Sequence, residues 1–126
     1  AVGSGDDNIA WETPALVDII QALKSIGGEA FGIMHSTVET TSLGLAALFE
    51  NWSGPVMAYP ETMVFDHDTH RARMKVAEPD FARACRAWVE SGVQIIGGCC
   101  GTTIEHIRHM ADGLPTRVGP RTGVIN

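Results

Sequence analysis

Residues 92–107 read Gly-Val-Gln-Ile-Ile-Gly-Gly-Cys-Cys-Gly-Thr-Thr-Ile-Glu-His-Ile. The apolar run at residues 93–96 is typical of a short buried strand, and the glycines from Gly97 onward predict a tight turn after it. Two adjacent thiols, Cys99 and Cys100, lie on that turn. On an extended strand neighbouring side chains point to opposite faces, so both thiols can meet one ligand only where the chain turns.

A helix is predicted directly after the turn. Thr102 and Glu105 have the spacing of a capping box, and the helical pattern continues to Gly113. Its apolar positions are Ile104, Ile107 and Met110. His106 and His109 lie on the same helix and are expected to face solvent.

Working outward, helical periodicity precedes each of three short apolar runs. The first helix is predicted to begin with a Thr13 cap and Pro14, and the third with Pro79. The apolar runs cover residues 30–34, 55–59 and 93–96. Helices that alternate with short apolar strands predict an α/β fold of parallel strands joined by right-handed crossovers. Cys85 falls on the apolar face of the third helix and is expected in the core.

Chemically suggestive residues follow the strands. They are His35, the Tyr59-Pro60-Glu61 corner and the pair Cys99-Cys100. In parallel α/β sheets ligands bind at the carboxyl ends of the strands, so a site is predicted at this edge.

The polar stretch at residues 61–78 has no clean period and is predicted to be a long connecting loop. Its run Asp66-His67-Asp68-Thr69-His70 offers metal-ligating side chains. The spacing fits no specific metal motif, and an ordinary polar loop is the favoured interpretation.

Length and charge restrict the functional classes. The chain has 126 residues, room for one modest domain, and its 9 Lys and Arg against 15 Asp and Glu give a net charge of -6. No basic stripe occurs, which argues against a nucleic-acid partner. No apolar run is long enough to span a membrane, and the first residues lack the regions of a signal peptide, so we expect a cytoplasmic protein with no membrane partner.

The adjacent cysteines admit three interpretations. Zinc favours soft thiolate donors on a turn, and ligation or catalysis is preferred. Cysteine also packs well as a small apolar residue, which leaves a structural role open. A disulfide between Cys99 and Cys100 would form only in a strained ring and is disfavoured.

The stretch at residues 92–107 closely resembles the zinc-binding signature at the end of the last strand in homocysteine S-methyltransferases. Residues 87–92 resemble the helix before that strand, and Tyr59-Pro60 resembles the Tyr-Pro-Asn corner of the family. The resemblance covers about residues 30–113. It implies that residues 1–113 form a partial (β/α)8 (TIM) barrel, namely its C-terminal half, with an irregular tail at residues 114–126.

The resemblance also implies a metal site. The family supplies a third cysteine from a Gly-x-Asn-Cys motif, and the matching residues here are Gly32-Ile33-Met34-His35. His35 therefore takes the place of the third zinc ligand beside Cys99 and Cys100, with the fourth position left for a substrate thiol. A hydrogen-bonding or structural role for His35 remains the alternative. Two thiolates and a neutral imidazole would leave the Zn²⁺ site neutral, whereas three thiolates would make it negative.

Substrate contacts are implied for Tyr59, Glu61 and Gly98. Glu61 stands where the family has Asn, and its carboxylate suits the ammonium of an amino-acid thiol. A carboxylate that simply faces water is the alternative for Glu61. The implied function is zinc-dependent methyl transfer to a homocysteine-type thiol in methionine formation; the residues do not indicate the methyl donor.

A complete barrel needs about 250 residues and eight strands. We therefore expect a second chain that supplies the N-terminal half barrel, or self-association through the exposed edge. A non-catalytic zinc- or thiol-binding regulatory module is the alternative function. A dinucleotide-binding domain is disfavoured, because the glycines around Cys99 lack the G-x-G-x-x-G spacing.

Overall fold

The computed structural model describes residues 15–66 and 68–118, in which helices alternate with short strands. In chain order the elements are α1 (Leu16–Ile26), β1 (Phe31–Met34), α2 (Val38–Asn51), β2 (Val56–Tyr59), β3 (Met63–Asp66), β4 (Arg71–Met74), α3 (Glu78–Glu90), β5 (Ile95–Ile96) and α4 (Ile104–Gly113). The predicted cap at Thr13 and Pro14 and the end of the predicted tail, residues 119–126, lie outside the described residues. None of the helices described has the length and apolar character needed to span a bilayer.

The three predicted strands form one parallel sheet in the order β1-β2-β5. Phe31 pairs with Val56 at the start of β1, and Met57 pairs with Ile95 across β2 and β5. The prediction of an α/β fold with parallel strands is confirmed.

The core lies on the helix-covered face of this sheet. Residues alternate along each strand, so Phe31 and Ile33 of β1 point to the same side as Val56 and Ala58 of β2. The core consists of Ile20, Phe31, Ile33, Leu45, Leu48, Val56, Ala58, Phe81, Cys85, Trp88, Val93 and Met110. Cys85 is 0% exposed, which confirms its predicted place in the core.

The opposite face of the sheet stays partly open. Met34 and Ile95 are 38% and 41% exposed, and Met57 and Tyr59 are half-buried. A pocket of about 260 Å³ lies on the sheet, lined by Gly32, Ile33, Met34, Met57 and Tyr59. Apolar side chains thus occupy both faces, as expected for a parallel sheet that belongs between two layers.

The prediction of a long loop at residues 61–78 is wrong. β3 and β4 form an antiparallel hairpin in which Met63 pairs with Met74. Its turn is held by Asp66, whose Oδ1 accepts the backbone N–H groups of Asp68 and Thr69 at 2.9 and 3.0 Å. All four residues of β4 are exposed, so the apolar alternation that identifies a strand in sequence is missing.

α4 begins one residue later than Thr102 and Glu105 predict. Thr103 is the N-cap: its hydroxyl accepts from the backbone N–H of His106, and the His106 ring accepts from the backbone N–H of Thr103. Histidine thus takes the place that Glu or Gln occupies in an ordinary capping box.

The later start places different side chains in the core. Ile104 and Ile107 are 66% and 38% exposed, whereas Met110 is 7% and His106 0% exposed. The expectation that His106 faces solvent is wrong, because both ring nitrogens find hydrogen-bond partners and the imidazole can be buried. His109 is exposed, as expected.

Replacing Ile33 with Ala should lower the free energy of unfolding by about 2–5 kcal/mol, because the side chain is 1% exposed and its removal leaves a cavity. The same change at Ile26, which is 79% exposed at the end of α1, should alter it by less than about 0.5 kcal/mol. Urea unfolding followed by circular dichroism measures both values. Equal losses in the two variants would contradict the assignment of the core to this face.

Candidate metal centre

The strand pairing continues beyond β1 and β2, where the predicted site residues lie. The backbone N–H of His35 donates to the carbonyl of Tyr59 at 3.2 Å, and the N–H of Glu61 donates to the carbonyl of Ser36 at 2.9 Å. Residues 59–62, called the central segment below, are thereby joined to the chain that follows β1.

The central segment is also joined to the cysteine turn on its other side. The N–H of Cys99 donates to the carbonyl of Pro60, and the N–H of Thr62 donates to the carbonyl of Cys100, each at 2.9 Å. His35 and the cysteines therefore lie on opposite sides of the central segment and at the same level. Their side chains converge across it.

Backbone conformation sets the turn on each side. His35 has φ of 55°, in the left-handed region where non-glycine residues are uncommon and His is enriched several-fold. Gly101 has φ of 77°, and a Cβ on it would lie 2.6 Å from the side chain of Met63. Glycine at position 101 is therefore required by the backbone angle and by the approach of the hairpin.

The three predicted ligands form one cluster. His35 Nδ1 lies 3.5 Å from Cys100 Sγ and 3.9 Å from Cys99 Sγ, and the two sulfurs are 3.8 Å apart. Zinc bonds of about 2.3 Å to sulfur and about 2.0 Å to nitrogen give tetrahedral edges of about 3.8 Å between sulfurs and about 3.6 Å between sulfur and nitrogen. The three donor atoms thus have the spacing of one face of a tetrahedral zinc site.

The two thiols differ in acidity. Partial burial raises the pKa of Cys99, but hydrogen bonds from His35, the Cys100 backbone and the Cys100 thiol outweigh it, and the pKa lies below its ordinary value. The hydrogen bond with Cys99, followed by burial and the negative charges of Cys99 and Glu61, raises the pKa of Cys100. Cys99 therefore loses its proton first.

Glu61 is part of the same group of side chains. Its Oε2 lies 3.5 Å from His35 Nδ1, and its side chain is only 14% exposed. The carboxylate thus lies mostly away from solvent and beside the imidazole, while a contact of Glu61 with substrate stays a prediction.

A cleft of about 350 Å³ opens beside the cluster. It is lined by His35, Thr37, Glu61, Met63, Val64, Phe65 and Cys100. Three of these residues belong to β3, which the sequence pattern did not reveal as a strand. The hairpin therefore supplies one wall of the cleft.

Tyr59 and Gly98, the other two predicted substrate-binding residues, lie outside the cleft that Glu61 lines. Tyr59 lines the pocket on the open face of the sheet, and a Cβ on Gly97 would lie 2.6 Å from its ring. A Cβ on Gly98 would lie 2.3 Å from the side chain of Thr102. Neither residue lines the cleft, and Gly98 has a steric reason to be glycine.

The Asp- and His-rich run of the hairpin turn forms no second group of this kind among the described residues. His67 lies outside them, and Asp66 is engaged in the turn. Within the described part of the chain, the group that could hold a metal ion is His35, Cys99 and Cys100.

Comparison with known proteins identifies the family. The family model for homocysteine S-methyltransferase matches residues 13–114. The chain therefore belongs to the homocysteine S-methyltransferase family. Its relatives include homocysteine S-methyltransferase YbgG of Bacillus subtilis, 29% identical over 83 residues, which are 65% of this chain and 26% of that protein. Homocysteine S-methyltransferase 2 of Arabidopsis thaliana is 32% identical over 68 residues, which are 52% of this chain and 20% of that protein. The matched part thus spans about a quarter of these relatives or less.

In the metal-free, reduced protein, two thiols should react quickly with a thiol reagent and the third only on unfolding. Cys85 is 0% exposed and burial raises its pKa to about 12, so about one thiol in 10⁴ is ionised at pH 8. Cys100 is exposed and Cys99 half-buried. The rate and number of thiols titrated with a chromogenic disulfide measure this difference.

The variant Cys85→Ala is the control. It should retain the two fast thiols and lose the slow one. Three thiols of equal rate in the native protein would contradict the burial of Cys85.

Proposed function

We propose that this member of the family acts in zinc-dependent methyl transfer to a homocysteine-type thiol, with His35, Cys99 and Cys100 as the zinc ligands. The main support is the spacing of the three donor atoms, which all lie within 4.8 Å of one another at the carboxyl ends of parallel strands. Two sulfurs and one imidazole nitrogen form a donor set that suits Zn²⁺.

Three protein ligands are the usual number in catalytic zinc sites, where the remaining position takes water or substrate. When bound, Zn²⁺ would lower the pKa of a substrate thiol, so that the thiolate exists at neutral pH. Replacement of a family cysteine by His35 makes the ligand set less negative by one charge. A less negative site should hold the substrate thiolate more firmly and make it a weaker nucleophile.

The residues around the cleft would bind and orient the substrate. The Glu61 carboxylate suits the ammonium of an amino-acid thiol. Met63 and Phe65 of the hairpin give the cleft an apolar wall. The thiolate sulfur then attacks the methyl carbon of the donor: a carbon–sulfur bond forms while the bond to the leaving group breaks, and the thiol proton goes to solvent. Acceleration would come mainly from alignment of the sulfur and the methyl carbon.

The open sheet face supports a complementary half barrel. Met34 and Ile95 remain 38% and 41% exposed on it. We propose that the first half of a (β/α)8 barrel, on a second chain, covers this face and pairs with the outer edges of β1 and β5, which bond to no further strand among the described residues. Self-association through the same face would be recognised by the mass of the assembly in solution.

His35→Asn should weaken Co²⁺ binding, with Co²⁺ used as a coloured substitute for Zn²⁺. The wild-type chain should bind one Co²⁺ with thiolate-to-cobalt charge-transfer absorption. Asn tolerates the left-handed backbone at this position but removes the imidazole. The affinity should fall by at least about 100-fold, since changing a mere hydrogen-bond partner of a ligand costs about 10–100-fold.

His70→Asn is a matched control. His70 also has a positive φ, 51°, and is exposed on the hairpin away from the cluster. This variant should bind Co²⁺ as the wild type does. Equal affinities in the His35 and His70 variants would eliminate His35 as a ligand, and absence of the charge-transfer band in the wild type would eliminate the site.

Methyl transfer to homocysteine should require the complementing half barrel, and Glu61→Gln should selectively impair it. Loss of a charged hydrogen bond worth about 1.5–3 kcal/mol should raise the KM for homocysteine by about 10–100-fold. The KM for a thiol without an amino group should rise much less, because Glu61 then acts only through its contact with the metal-site residues His35 and Cys100. Product formation at varied thiol concentration measures both effects.

Cys100→Ser should remove activity with either thiol. If the assembled wild-type protein binds zinc and homocysteine but forms no product with any methyl donor, the regulatory module is the correct function. A KM raised equally for both thiols would contradict the role of Glu61.

A further inference from the structure

The imidazole of His106 is fully buried on α4, and the proposed reaction does not use it. Its Nδ1 lies 3.2 Å from the backbone nitrogen of Thr103, and its Nε2 lies 3.0 Å from the carbonyl oxygen of Val76. The ring also packs edge-on against Phe81, with 5.4 Å between ring centroids. Nδ1 also lies 2.8 Å from the Thr103 hydroxyl, so the buried ring is fixed between two residues, Thr103 and Val76, and restricts the chain at both.

The two partners determine where the ring proton lies. The backbone N–H of Thr103 can only donate, so Nδ1 accepts. Nε2 must then carry the proton and donate it to the carbonyl of Val76, because a carbonyl oxygen can only accept. The neutral ring with its proton on Nε2 satisfies both bonds.

The contact with Val76 leads to the cysteine turn through the central segment. The backbone N–H of Val76 donates to the carbonyl of Thr62 at 3.2 Å, and the N–H of Thr62 donates to the carbonyl of Cys100 at 2.9 Å. Thr103 follows Cys100 by three residues and bonds to the His106 ring. The hydrogen bonds of Thr62, Val76 and His106 therefore connect the two ends of the thiol turn, Cys100 and Thr103.

We propose that His106 is a positioning residue for the thiol pair: through Val76 and Thr62 it holds the carbonyl of Cys100, and through Thr103 it holds the other end of the same turn. This inference rests on the proposed metal site. The turn contains Gly98 and Gly101, and its internal backbone bond is one of 3.2 Å from the N–H of Thr102 to the carbonyl of Cys99, so bonds from outside it contribute to its shape. The spacing between sulfur and nitrogen in the cluster depends on that shape.

Three variants separate the two bonds of the imidazole. His106→Gln retains both, because a carbonyl oxygen can accept from Thr103 and an amide N–H can donate to Val76. His106→Glu retains the cap but has no donor for Val76 when ionised. His106→Asn is uncharged and too short to reach both partners, and it replaces the Glu variant if that variant does not fold.

The first measurement is Co²⁺ affinity together with the charge-transfer spectrum. His106→Gln should remain within about threefold of the wild type, whereas His106→Glu or His106→Asn should bind about 10–100-fold more weakly and with a shifted band. Met110→Ala is the control for stability, since Met110 is buried on the same helix but takes no part in the hydrogen bonds that connect His106 with the thiol turn. It should lower the unfolding temperature without moving the band.

The second measurement needs no metal. Amide hydrogen exchange at Thr62, whose N–H donates to Cys100, should accelerate at least about tenfold in the Glu or Asn variant relative to the Gln variant, after correction for global stability. If the wild type binds no metal, the metal site is wrong and the exchange rates alone decide the role of His106. The proposal is overturned if exchange and Co²⁺ affinity are the same in all His106 variants, or if Met110→Ala changes both as strongly.

Discussion

Backbone hydrogen bonds that extend the parallel pairing past the strand ends are the interaction on which the rest of this structure depends. The central segment accepts the N–H groups of His35 and Cys99 and donates the N–H groups of Glu61 and Thr62. Strands only two to four residues long carry few ladder bonds of their own, so these additional bonds contribute much of the order at this edge. The central segment pairs with the chain after β1 on one side and with the cysteine turn on the other. The imidazole of His35 therefore lies within 4 Å of both thiols, although more than 60 residues separate it from them in sequence.

The chemistry of the edge follows from this convergence. Two sulfurs and a nitrogen at the spacing of a tetrahedral face favour a metal with soft ligands. The pKa of the Cys100 thiol is raised first by its hydrogen bond with Cys99 and by burial, and further by the negative charges of Cys99 and Glu61. His35 and Glu61 lie 3.5 Å apart, so a change at either residue alters the surroundings of the other.

The candidate metal centre lies next to the open face of the sheet. The apolar side chains around Met57 and Ile95 lie on the side of the strands that faces away from the helices, while the cluster lies at the carboxyl ends of the same strands. The hairpin forms one wall of the cleft beside the cluster through Met63, Val64 and Phe65.

Apolar periodicity and glycine positions alone determined the three parallel strands, the four helices, the burial of Cys85 and the edge at which His35, Glu61 and the cysteines would lie. These features depend on apolar patterns of period 2 and 3.6 among neighbouring residues, which are present in the sequence whatever the tertiary structure is. Only the tertiary structure decided the burial of His106, the hairpin formed by β3 and β4, and the orientation of Glu61. His106 and Glu61 depend on partners distant in sequence: the carbonyl of Val76, 30 residues away, accepts a hydrogen bond from the His106 ring, and His35 lies 3.5 Å from Glu61. The hairpin pairs residues close in sequence, but all side chains of β4 are exposed, so the apolar alternation typical of a strand is missing. Neither a long-range hydrogen bond nor a fully exposed strand produces a periodic apolar pattern in a sequence, which is the physical reason these features could not be predicted.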